Sequence, residues 1–118
     1  MNTLYQGEDK TIQFDLKDAA GNPVTFASLL EVLVNLTVDN YLILAASKTV
    51  QANKVRVQSV SGQSTRCKVI LPAAVTAGLW PNRIVKVEIK TYTTDADYQN
   101  GRAEITQATL YKVKASSI

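Results

Sequence analysis

The 118-residue chain reads as all-β, a single antiparallel β-sandwich of about seven strands with one or two short helical turns. Three observations carry this expectation. Apolar and polar residues alternate at period two in several segments. Clusters of turn formers separate those segments at spacings of about ten residues. No stretch keeps a helical period long enough for a framework helix. The length suits one domain, 1–118, with a core that needs no staples.

The elements follow in order. In TIQFDLK, Thr11 to Lys17, the residues Ile12, Phe14 and Leu16 alternate with Gln13 and Asp15, which predicts a strand with one buried face. DAAGNP supplies Asp18, Gly21, Asn22 and Pro23 for a turn. FASLLEV, Phe26 to Val32, predicts one helical turn between strands. Val32, Val34, Leu36 and Val38 share the next strand face, and Asp39–Asn40 makes a tight turn into YLILAAS. The pair reads as a hairpin whose second, nearly continuous apolar strand is central and covered on both sides.

VRVQSV points Val55 and Val57 inward, SGQST turns around Gly62, and RCKVIL is the return strand. PAAVTAGLWPN predicts a short helical turn begun by Pro72 and ended by Gly78. IVKVEIKTY, Ile84 to Tyr92, sets Val85, Val87 and Ile89 against Lys86, Glu88 and Lys90, the cleanest alternation in the chain. AEITQATLYKV closes the sandwich. The Cys–Trp–Cys core of antibody domains is absent, so the expected sandwich is immunoglobulin-like in layout only.

Composition excludes several classes. Hydrophobic residues form 46% of the chain and charged ones 19%, which fits an ordinary globular protein rather than a disordered one. A net charge of +3 suits solubility or a weakly acidic partner and falls short of a nucleic-acid patch, so no nucleic acid is expected as partner. No run approaches the ~20 apolar residues of a membrane helix, and no signal peptide opens the chain. No membrane partner is expected, and synthesis belongs in a cytoplasm. The lone Cys67 allows no internal disulfide; on the side of Val69 and Leu71 it reads as a buried structural thiol.

Chemistry is sparse. TDADYQNGRAE, Thr94 to Glu104, resembles a calcium loop, but counted from Asp95 the fifth position is Gln99, the sixth Asn100 and the twelfth Thr106. Such a loop needs acids or Asn at one, three and five, Gly at six and Glu at twelve, with helical flanks. The better reading is a long hairpin loop turning at Asn100–Gly101, with Tyr98 at or near its exposed tip. No metal and no cofactor are expected. The chain has no histidine, Cys67 lacks an activating base, and the adjacent Glu8 and Asp9 read as a solvated pair, so no enzyme is expected.

Aromatics are the remaining candidates for recognition. Trp80, the only tryptophan, is expected to plug one end of the sandwich beneath its connector; the alternative is an exposed anchor for a partner surface or a sugar ring. Lys86, Lys90, Lys112 and Lys114 form a basic stripe if their strands pair, and serving solubility or guarding an edge is the first reading of it.

YQGEDKTIQFDLKDAAGNPV resembles the opening of the immunoglobulin-like domains of tailed-phage virion proteins, in which a glycine-and-acid segment leads into an amphipathic strand and a (D)xxGNP turn. AGLWPNRIVKVEIKTYTTDADYQNGRAEI resembles their later half. Along most of the chain the resemblance is to the N-terminal domains of phage upper-baseplate proteins and, more closely, to small structural proteins of crAss-like Bacteroides phages. It carries no catalytic residue to transfer.

What it implies is a non-enzymatic virion structural protein, foremost an auxiliary decoration protein bound to the capsid. The implied partners are the major capsid protein, a head fibre or tail components. Baseplate proteins with this domain usually continue further, whereas this sequence stops at Ile118, which favours the free-standing accessory. The segments MNTLYQG, with Tyr5, and KVKASSI are candidate contact arms, with frayed ends as the alternative. The rival function is a carbohydrate- or host-surface-binding module using Trp80, Tyr98 and a neighbour; a third is a tail, baseplate or connector component.

Overall fold

The period-two segments become strands, and their apolar positions close the core. A computed structural model describes residues 2–18, 20–49 and 55–115. Along the chain the strands are β1 (Asn2–Tyr5), β2 (Lys10–Asp15), β3 (Glu31–Val38), β4 (Tyr41–Ser47), β5 (Val55–Arg56), β6 (Gln58–Val60), β7 (Gln63–Leu71), β8 (Ile84–Asp95) and β9 (Tyr98–Lys114). They form a curled mixed sheet in the order β1-β9-β8-β3-β4-β5 and a smaller antiparallel sheet, β2-β7-β6. Ile12, Phe14, Cys67, Val69 and Leu71 of the small sheet share one buried cluster with Val32, Val34, Leu36, Val85, Val87 and Ile89 of the large one. These are the residues that alternation assigns to the inside.

The purely antiparallel layout of about seven strands is corrected. β1 runs parallel to β9, from Asn2 opposite Tyr111 to Tyr5 opposite Lys114, and β4 runs parallel to β5. The two candidate arms therefore occupy each other. Leu4 is fully buried, and burial of a leucine outweighs the fraying expected of a terminus. Residues 116–118 of the second arm lie outside the described residues. The strand expected over VRVQSV divides at Val57: its N–H still donates to Ser47 O at 2.8 Å, and the chain then crosses to the other sheet as β6. One apolar residue between two short strands makes the corner.

YLILAAS is not covered on both sides. Leu36 lies opposite Leu44 but Thr37 opposite Leu42, so Ile43 is an extra residue in β4. Such a bulge bends its strand and breaks alternation, and Tyr41, Leu42 and Ile43 are all exposed.

Both helical turns form. Phe26–Ser28 is a 3-10 turn held from beneath by Lys48, whose Nζ donates to the carbonyls of Phe26 (2.7 Å) and Leu29 (2.6 Å). Glu31 Oε1 accepts the N–H groups of Val32, Lys48 and Thr49 at 2.9–3.0 Å, which ties β3 to the end of β4. Helix α1 (Ala73–Ala77) begins at Pro72, which has no capping side chain, and Asp9 Oδ1 takes that role by accepting the Ala73 N–H at 2.7 Å. Buried Thr76 donates its hydroxyl to Glu8 O at 2.7 Å, and Glu8 Oε1 accepts the Tyr5 N–H at 2.9 Å. The adjacent acids stay at the surface, Asp9 exposed and Glu8 half-buried, and also fasten α1 to the β1–β2 connection.

Candidate interaction surface

Helix α1 delivers two consecutive side chains to opposite environments. Leu79 is buried at the end of the core, and Trp80 is 67% exposed. The expected plug exists, but Leu79 is the residue that forms it. A turn at Pro81–Asn82, with Asn82 at φ 66°, is pinned to β9 by Asn82 N–H donating to Val113 O (2.8 Å) and Val113 N–H donating to Arg83 O (2.9 Å). The Gln6 side-chain amide donates to Leu79 O from the other side. The exposed ring therefore stands on a fixed backbone.

Opposite it lies the β3–β4 turn. Asp39 and Asn40 take φ 50° and 68°, the left-handed pair of a two-residue hairpin turn that these residue types tolerate. That turn presents Tyr41, 76% exposed. Val38, Asp39, Tyr41, Ile43, Gly78, Leu79 and Trp80 line a groove of about 290 Å³. Arg83 closes its rim, 5.8 Å from the centroid of the Trp80 ring and paired with Asp39 at 3.1 Å. An apolar floor with one ion pair on the rim accepts an aromatic or aliphatic side chain or the flat face of a sugar. Sequence reasoning missed Ile43 and Arg83 and did not single Tyr41 out from the other scattered tyrosines. The signal was present: three large apolar residues in a row behind a two-residue turn cannot all point inward at period two.

A second surface adjoins the groove. The small sheet covers one face of the large sheet, and on the other face Ile84, Lys86, Glu88 and Lys90 of β8 alternate with the buried Val85, Val87 and Ile89. Lys112 lies opposite Ile84, and Lys114 follows it on the same side. The basic stripe is real, but β8 and β9 are interior strands, so it guards no edge. Four lysines lie there with two glutamates, Glu88 and, opposite Tyr92, Glu31, so the face is net basic. Exposed Ile84, Leu110, Ile105 and Leu42 lie among the lysines.

Tyr98 stands at the far end of the β8–β9 hairpin. The predicted turn at Asn100–Gly101 is corrected: the chain reverses at Ala96–Asp97, with Asp95 opposite Tyr98 and the Asp97 N–H donating to Asp95 Oδ1 at 2.9 Å. An aspartate that bonds the backbone two residues on forms the turn itself. Asn100 and Gly101 lie within β9 at a register shift, where Gly101 has φ 89°. Tyr98 is 55% exposed. It is separated from Trp80 by the whole of β8, so the two do not form one platform. Tyr5, 44% exposed and opposite Lys114, lies at the Trp80 end.

The titratable groups serve structure. Burial pushes the Cys67 thiol up to about 12, which leaves it protonated and inert at neutral pH. Asp9, Glu8, Glu31 and Asp95 each spend a carboxylate oxygen on backbone N–H groups. No family model matches the chain, and neither a curated protein nor a solved structure matches it.

Proposed function

We propose that the chain is a non-enzymatic structural protein of a tailed-phage virion, an auxiliary protein that decorates the head, with an immunoglobulin-like arrangement of its two sheets. The observation that carries this reading is the uncovered face of the large sheet. Solubility accounts for lysines alone, whereas a net basic face that also carries four exposed large aliphatic side chains suits a subunit that lies on an acidic protein surface. The major capsid protein is the proposed partner, with head-fibre and tail components as the alternatives. The carboxylates bound to backbone and the buried thiol support a role without catalysis. The phage-like phrases at Tyr5–Val24 and Ala77–Ile105 supply the virion context.

The second reading, a glycan-binding module, is favoured by one observation: an exposed tryptophan and an exposed tyrosine flank a groove with an ion pair on its rim. Tyr41 replaces Tyr98 as the neighbour of Trp80 in that reading.

Quantitative mass spectrometry of purified particles of the phage that encodes the chain separates these proposals. Abundance comparable to the major capsid protein is the expected outcome. A low, reproducible copy number moves the protein to the tail or connector. Absence from particles removes the virion reading; host polysaccharide that shifts Trp80 fluorescence then identifies the glycan module.

A further inference from the structure

Three polar side chains are buried among the described residues, and two of them are satisfied. Ser47 donates its hydroxyl to Thr49 O at 2.6 Å, and Thr76 donates to Glu8 O at 2.7 Å. Thr91, on the inner face of β8, is 5% exposed, and its hydroxyl has no hydrogen-bond partner among the described residues. A buried hydroxyl left alone is costly, and native interiors rarely keep one without a reason. Thr91 lines a cleft of about 250 Å³ between the β8–β9 pair and the turn that follows β2.

The walls of this cleft are braced. Lys17 bridges to Pro23 across the turn, the Asp18 N–H donates to Asn22 O at 2.9 Å, and the Val24 N–H donates to Leu16 O at 3.0 Å. Asp18 Oδ1 accepts the N–H groups of Ala20 and Asn22 at 3.0 and 2.9 Å, so its second oxygen is left for a ligand. On the facing wall, Glu104 of β9 lies opposite Thr91. Its Oε1 takes Arg102 Nε at 3.2 Å, which likewise leaves one oxygen. Leu16, Val24 and Leu29 supply the apolar part of the lining.

The charges of the lining select the ligand. An anion would meet Asp18 and Glu104, and a cation would meet Lys17. A neutral molecule that both donates and accepts hydrogen bonds suits all three. Its hydroxyls can donate to the two carboxylates and accept from Lys17, and one can pair with Thr91. The volume falls just under the ~300–1,000 Å³ of drug-sized sites, which suits a ligand of about a dozen non-hydrogen atoms. We propose that the cleft binds a small neutral polyol the size of one monosaccharide, with a hydroxyl on Thr91 and a C–H face on Leu16, Val24 and Leu29. The site lies toward the opposite end of β8 from Trp80. It rests neither on the virion reading nor on the Trp80 groove.

At ordinary ligand efficiency such a molecule binds in the millimolar range. Amide-detected NMR titration with D-glucose, D-galactose, D-mannose and N-acetyl-D-glucosamine, each to about 50 mM, reads binding of that strength. At least one sugar is expected to give saturable shifts centred on Leu16, Lys17, Thr91 and Glu104, and to give them equally in Trp80→Ala. Butylammonium and butyrate, which carry one charge each on a short apolar chain, are expected to leave those amides unmoved. Thr91→Val keeps the shape of the side chain and removes only the hydroxyl. It is expected to weaken sugar binding about tenfold. Without sugar it is expected to melt no lower than wild type, because the hydroxyl it removes has no partner in the fold. Silence from all four sugars overturns the proposal, as do shifts centred on Trp80, shifts at the cleft from either charged probe, or a Thr91→Val that binds like wild type. A Thr91→Val that melts well below wild type overturns it too, since the hydroxyl would then already be paired.

Discussion

Leu4→Ala is expected to lower stability by about 3 kcal/mol, within the ~2–5 kcal/mol usual for fully buried leucines, and to lower Tm by roughly 10 °C. The leucine is the fourth residue of the sequence, in a region where substitutions ordinarily cost little. Here β1 is hydrogen-bonded along β9, the Gln6 N–H donates to Lys114 O at 3.0 Å, and Leu4 has no exposed surface within the common core. The cavity left by alanine is bounded by strands of the large sheet and cannot collapse without moving β9. Urea denaturation with a constant slope measures the loss. A change within about 0.5 kcal/mol, the size expected at an uninvolved surface position, would mean that the first residues are an arm after all.

Gly101→Ala is expected to cost about 2 kcal/mol and to loosen the hairpin tip. Two separate penalties meet there. At φ 89° any L side chain is strained, and an added Cβ would stand 2.7 Å from Leu30 Cδ1 and 2.8 Å from the Thr93 carbonyl oxygen. Leu30 can turn away, but Thr93 O belongs to the partner strand of the hairpin, so the backbone has to separate. Gly62→Ala is the control: Gly62 has φ 76° with open space where a Cβ would go, and its loss is expected near 1 kcal/mol from conformation alone. Amide exchange accelerated at Thr93 and Arg102 in the first variant and unchanged in the second would locate the extra cost in the steric contact. Equal losses in the two variants would remove it.

How much of this was legible in the sequence follows from which forces act locally. Ile12, Phe14, Val32, Val34, Leu36, Val85, Val87 and Ile89 were readable as core because period two converts directly into one face of a strand. The Asp39–Asn40 turn and both helical turns were readable because turn chemistry is local. The parallel pairing of β1 with β9 was not, since it joins residues more than a hundred positions apart and leaves no mark on either segment. The position of the β8–β9 turn was misread because Asn100–Gly101 is also what a bulge requires: a residue at positive φ inside a strand. In the candidate site, the single tryptophan drew attention to Trp80, but its exposure depends on Leu79 taking the buried place first. Tyr41 and Ile43 become partners of Trp80 only through the bulge in β4. The lysine face was legible as alternation in two segments, and its meaning changed once those strands proved to be interior.

On the proposed reading of the chain as a head-decorating protein, cryo-electron microscopy of the phage particles whose genome would encode it is the most direct test. The account predicts density of this two-sheet shape on the outside of the head, its long axis along the shell and Lys86, Lys90, Lys112 and Lys114 turned toward the capsid protein. Heads and tails that carry no density of this shape would contradict it.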